Sequence, residues 1–344
     1  MQGSMKKTIA IIIVTLPLAA AMPLCAAMKA RVIQTNSAGD NVHVIDPATN
    51  KVVGTIEGIE VPHGTVIAPD GARIWVTEEA NKSVDAVDAK TLKVVAKIPL
   101  SGHPNNLAIT KDGKKVYVGI AQQPGAVDVI DAIALKNVKS IPVQGAIHNV
   151  YTTPDSKYAV SGSVVSGVIT AIDTSTDTIA WTMKETSGIR PMIFTTNPDG
   201  STKEMIFQLS NYHGIVIADF KTQKELRRVD MPDVPGQDRE IDGIQGAPAH
   251  GLALSDGGKV VWSTSKYYDY AAAFSYPDFK LIKYIPVGSH PEWLTIPPDG
   301  KYMYVGCAGA DATDVIDLKA MKNIARIPVG YVPKRNASGL IQVN

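Results

Sequence analysis

The 344-residue sequence has few cysteines, few aromatic residues and no excess of charge. Its two cysteines are Cys25 and Cys307. Cys25 falls in a segment expected to be removed, so no disulfide can form within the mature chain. The 34 basic residues nearly balance the 33 acidic ones, a net charge of +1, and no polybasic run or acidic tail is present. Nucleic acid is therefore excluded as the expected partner. No Gly-x-Ser-x-Gly elbow, P-loop or dinucleotide fingerprint occurs, which argues against a nucleotide cofactor. The absence of Cys-x-x-Cys-His excludes covalent c-type haem. Helical periodicity is missing from every long window, so the fold is expected to be built from strands.

The one long apolar run is Ile9 to Pro23, preceded by Lys6 and Lys7 and followed by Ala26 and Ala27. Its length suits a signal peptide and is short for a membrane span. We expect a signal peptide over 1–27, a periplasmic or secreted location, and one domain over 28–344 with no membrane span.

A pattern of about 42 residues then recurs along the chain. Each unit has an apolar stretch, a turn, an aromatic-valine strand, and an alternating strand ending in Asp. The turns are Asp70-Gly71, Asp112-Gly113, Asp155-Ser156, Asp199-Gly200, Asp256-Gly257 and Asp299-Gly300. The alternating strands end at Asp46, Asp88, Asp131, Asp173, Asp219 and Asp317, with Ser275 at that place in the sixth unit. Four short strands per unit at this period predict an all-β, seven-bladed propeller. The phase is offset, so a C-terminal strand near Val332 to Ile341 should complete the N-terminal blade and remove two free edges.

The segments from Val42 through His43, Asp46 and Asn50 to Val53, and Val116-Tyr117-Val118, resemble the YVTN-type propeller repeat. That family is related to cytochrome d1-like and lactonase-like propellers. The resemblance covers nearly the whole mature chain and implies the propeller fold. It leaves open an enzyme, a cofactor holder or a binding module, so function has to be argued from the site.

In a propeller the first strand of each blade lines the central channel. Aligning these strands on their turns gives a column of His63, Asn105, His148, Met192, His250, Glu292 and Lys334. Two residues earlier stand Val61, His103, Ala146, Arg190, Pro248, His290 and Val332. Strand parity would turn both columns the same way. His213, with Tyr212 beside it, falls in a loop on the same face, and His43 lies elsewhere. Three imidazoles from alternate blades, His63, His148 and His250, suit a transition metal such as Cu, Zn or Fe. Glu292 would be fourth ligand or general base. His103, His290 and Arg190 would orient an anionic or carbonyl group, and His213 and Tyr212 would contact a cofactor. The insertion from Met231 to Gly246 would lid or wall the mouth.

The first expectation is thus a transition-metal-dependent enzyme acting on a small organic molecule. The alternatives are a non-catalytic module for a ligand, a partner protein or a noncovalent haem with one axial His, and a lactonase-like hydrolase. The cytochrome d1-like resemblance keeps the haem alternative open.

Overall fold

The computed structural model describes residues 1, 3, 27–243 and 245–343. The expected signal peptide lies almost wholly outside the described residues. Seven four-stranded antiparallel sheets form, numbered here β1 to β28 in chain order. The first blade joins β28 (Pro333–Val343) to β1 (Ala27–Asn36), β2 (Asn41–Asp46) and β3 (Lys51–Glu57). The other six blades run consecutively, from β4 (Pro62–Ile67) to β27 (Lys322–Pro328). Closure by the C-terminal strand is as the repeat phase requires: Ala27 pairs with Val343 and Gln34 with Asn336. The described residues hold no α-helix, only a short 3-10 turn at Asp256–Gly258.

Burial explains the sequence pattern. The two middle strands of a blade are covered on both faces, as in β5 (Arg73–Glu78), so they read as near-continuous apolar runs. The outer strand alternates, as in β7 (Lys93–Pro99). The aromatic of the second strand is a wedge between blades: Trp75, Tyr117, Trp262 and Tyr304 are each at most 1% exposed. Two of these wedges also lock the next blade by hydrogen bonds. The Tyr117 hydroxyl donates to Asp177 and that of Tyr304 to Asn50, each at 2.5 Å.

The Asp column is a turn device. The Asp88 carboxylate accepts hydrogen bonds from the Lys90 and Thr91 amides at 3.1 and 2.8 Å. Asp131 and Asp317 do the same for the two turns that follow them. This is the local side-chain capping that Asp offers a turn.

Every inner strand begins with a register shift. Shifts fall between Pro62 and Thr65, Pro104 and Leu107, Ile147 and Asn149, His250 and Leu252, and Pro291 and Trp293. In β20 (Ala249–Ser255) the shift is made by Gly251, at φ 86°, which packs against the Trp293 backbone. A left-handed residue there favours glycine. These bulges re-aim the side chains at the channel end, as bulges commonly do.

Candidate functional site

The end of the channel where the inner strands begin gathers histidines, two carboxylates and four cations. The His148 and His250 rings meet edge to face, with centroids 5.7 Å apart. His63 lies close enough for its charge to act on His148. Glu292 accepts from Lys266 Nζ at 2.8 Å and from Lys334 Nζ at 3.1 Å. Arg335, 2% exposed, stacks its guanidinium over Trp293 at 3.9 Å and donates to Asn105 at 3.1 Å. Arg190 donates to the Ser210 hydroxyl and to the Gln245 carbonyl at 2.8 and 2.7 Å.

Hydrogen-bond partners fix two imidazole tautomers. His250 Nδ1 lies 2.5 Å from the Glu292 carbonyl, an atom that only accepts, so the proton is on Nδ1. His63 Nδ1 lies 2.7 Å from the Glu79 carboxylate and also donates. Both rings, when neutral, carry a bare lone pair on Nε2. Burial holds His250 well below the usual histidine range, against the pull of Glu292. His148 is lowered in the same way, by burial and then by Arg335. Burial also lowers His63, only partly offset by its bond to Glu79. All three are neutral at neutral pH.

The sequence-based expectations meet this geometry unevenly. His63, His148, His250 and Glu292 do converge, but the rings are committed to different neighbours: Glu79, Asn149 and the Glu292 backbone. Among the described residues no group of three or more His, Cys, Asp or Glu is arranged to hold a metal ion. Glu292 is poorly suited to be a base. Burial pushes its carboxyl up, but the Lys266 and Lys334 ammonium groups outweigh burial and hold it well below the usual range.

Parity does not carry over to the earlier column, because all of those residues except Arg190 precede their strands. His103 is exposed, its Nδ1 3.2 Å from the Glu79 carbonyl. His290, with φ 51°, donates from Nε2 to the Asp242 carbonyl at 2.9 Å. His290 and Arg190 therefore tether the 231–246 insertion, which walls the mouth over blades five to seven.

His213 and Tyr212 lie away from the axis. His213 sits in a tyrosine cluster, 5.0 Å from the Tyr267 ring, with Nε2 2.8 Å from the Ser265 hydroxyl. Tyr212 donates to Asp230 at 2.9 Å and lies beneath Arg228. The sequence reading missed Glu79 and Lys266. Glu79 follows β5 directly, in a turn whose direction no periodicity reports, and Lys266 holds the equivalent place after β21 (Val260–Ser265).

Residues 30–171 match the family described as Cytochrome D1 heme domain. No curated protein matches the sequence. Among solved structures, Kuenenia stuttgartiensis hydrazine synthase is similar at 21% identity and TM-score 0.71, over 83% of this chain and 91% of that one. The dihydro-heme d1 dehydrogenase NirN, in complex with DHE, is similar at 16% identity and TM-score 0.65, over 90% of this chain and 66% of that one. The Pseudomonas aeruginosa periplasmic gluconolactonase PpgL is similar at 16% identity and TM-score 0.72, over 90% of this chain and 99% of that one. At these identities the solved structures speak for the fold. The chain is a seven-bladed propeller of the fold these structures share, and its residues 30–171 resemble the Cytochrome D1 heme domain.

Proposed function

We propose that the histidine end of the channel is an acid–base site that hydrolyses a small cyclic ester, with His63 as the base. The observation that carries this reading is the 2.7 Å contact from His63 Nδ1 to Glu79. Glu79 orients the ring and stabilises the imidazolium that forms when Nε2 takes a proton, the division of labour of a carboxylate–histidine pair. His63 Nε2 removes a proton from water, the hydroxide adds to the ester carbonyl, and the ring C–O bond breaks. The leaving alkoxide takes the proton back from His63, and a hydroxy acid results. Lys334 and Arg335, whose fields reach His63, stabilise the oxyanion and then the carboxylate. Four cations, Arg190, Lys266, Lys334 and Arg335, stand against the carboxylates of Glu79 and Glu292, so the end suits a product anion. The likeness to a gluconolactonase supports this substrate class, and the N-terminal segment supports export to the periplasm.

The test is glucono-δ-lactone hydrolysis followed by pH-stat. His63→Ala is expected to lower kcat about 100-fold or more, the usual scale of general-base catalysis. Unchanged turnover in that variant would overturn the reading.

Haem is the second reading, favoured by the family match. The bare Nε2 of His63, the more exposed of the two rings with that tautomer, would ligate the haem iron, its Nδ1–H held by Glu79 as is usual for a ligating histidine. Lys334 and Arg190 would hold the acid groups. Bound haem would supply iron-centred redox chemistry. Titration with hemin separates the readings: a Soret shift lost in His63→Ala favours haem. Metal analysis of untagged protein tests the transition-metal reading of His63, His148 and His250.

A further inference from the structure

The opposite half of the channel is a second, chemically different space. A cavity of about 540 Å³ is lined by residues from all seven inner strands. Its volume falls within the range of small-molecule sites. Its wall is largely apolar, with Ile67, Leu107, Ile109, Phe194, Leu254 and Leu294. Residues towards its outer end, such as Ile67, Leu254 and Ser338, are partly exposed, so that end meets solvent.

The inner end of this cavity is polar and under-satisfied. Arg335 lines it, and its guanidinium has only neutral contacts among the described residues, Asn105 and Trp293. Arg335 Nη1 is buried without a hydrogen-bond partner, and so is the hydroxyl of Thr65, another lining residue. The Tyr151 hydroxyl, also on the wall, makes no well-formed hydrogen bond, and the Arg335 charge and the Met192 backbone both act on it. Burial lowers Arg335 to about 10, which still leaves it cationic at neutral pH. Glu292 and Glu79 act on Arg335 without forming an ion pair with it; a buried cation with no carboxylate in contact is costly, and an Arg fork is matched by a carboxylate.

We propose that this half of the channel binds a carboxylic acid with an apolar body, its carboxylate on Arg335 and Thr65 and its body along the aliphatic wall. The uncharged tail lies towards the turn end, away from the histidines. The site shares Arg335 with the ester-hydrolysis reading but uses the Nη1 that no residue satisfies, and none of the imidazoles.

The probe is octanoate, titrated by calorimetry into the full chain at neutral pH. We expect saturable binding, with 1-octanol at least about tenfold weaker because it lacks the charge, a tenfold change being 1.4 kcal/mol. Leu254→Trp, which fills the outer half, and Arg335→Met should each weaken octanoate by about tenfold or more. Thr65→Val is a milder variant, should Arg335→Met fail to fold. His63→Ala should leave octanoate affinity unchanged, so failure here and failure of the hydrolysis reading can be told apart. Equal binding of octanol and octanoate, no binding of either, or octanoate binding untouched by Leu254→Trp would each overturn the proposal.

Discussion

A buried imidazole that must stay neutral becomes a liability at acid pH. His213 shows the effect most simply, because it is away from the channel charges. Burial lowers it from 6.5 to about 4, against a weak pull from Asp233. Between these values the unfolded chain binds a proton that the folded chain does not. Stability therefore rises with pH across that window and is lost as pH falls through it. The contribution is at most about 3 kcal/mol, because each tenfold loss of proton affinity on folding is worth about 1.4 kcal/mol. His213→Gln is expected to flatten the slope of unfolding free energy against pH from 6.5 to about 4, measured by urea titration. An unchanged slope would assign the acid lability to other groups. At the channel, Glu79→Gln tests the pair directly: it removes the charge that stabilises the imidazolium, so kcat should fall with little change in KM. The residue scale is also where the sequence is least legible. His63 could be placed at the mouth by counting from its turn. Glu79 could not, because it lies in a turn, and whether its carboxylate reaches His63 depends on backbone angles rather than on period.

At the scale of the strand and turn, repetition makes the chain readable. Seven copies of one four-stranded unit report turn positions, buried middle strands and the capping Asp many times over. Asp88 shows why that column is recognisable: its carboxylate holds two turn amides and the Thr91 hydroxyl. Asp88→Ala should cost about 1 kcal/mol, the net worth of a typical hydrogen bond, read as a lower urea midpoint at unchanged m. A change in m would mean that blade two had come loose instead. The same repetition hides the bulges. Each inner strand shifts register near its start, and a period-2 projection cannot see an inserted residue. Strand parity consequently misplaced His103 and His290, which stand outside the strands. Strict parity would also send Arg335 and its neighbour Lys334 to opposite sides, yet both cations act on the same channel.

For the whole molecule, closure and channel chemistry depend on one element. β28 supplies the inner strand of the first blade, and it carries Lys334, Arg335 and Asn336. It pairs with β1 along nearly its full length, and the Gln34 and Thr35 side chains bond to the Arg335 carbonyl. Removing residues 333–343 should therefore do more than delete three polar side chains. It exposes the edge of β1 and leaves the core facing β28 open to water, a state prone to edge-to-edge association. The truncated chain is expected to lose its single cooperative thermal transition and to aggregate on size-exclusion chromatography. Strand loss and chain-end effects can be separated, because Ala27 and Val343 are paired neighbours. A short linker can join them, with new termini opened in the exposed 235–240 stretch of the insertion. That permutant keeps every blade and every channel residue, and it should unfold cooperatively with octanoate affinity retained. If it behaves like the truncation, the order in which the blades are made, rather than the closed ring itself, is what holds the propeller together.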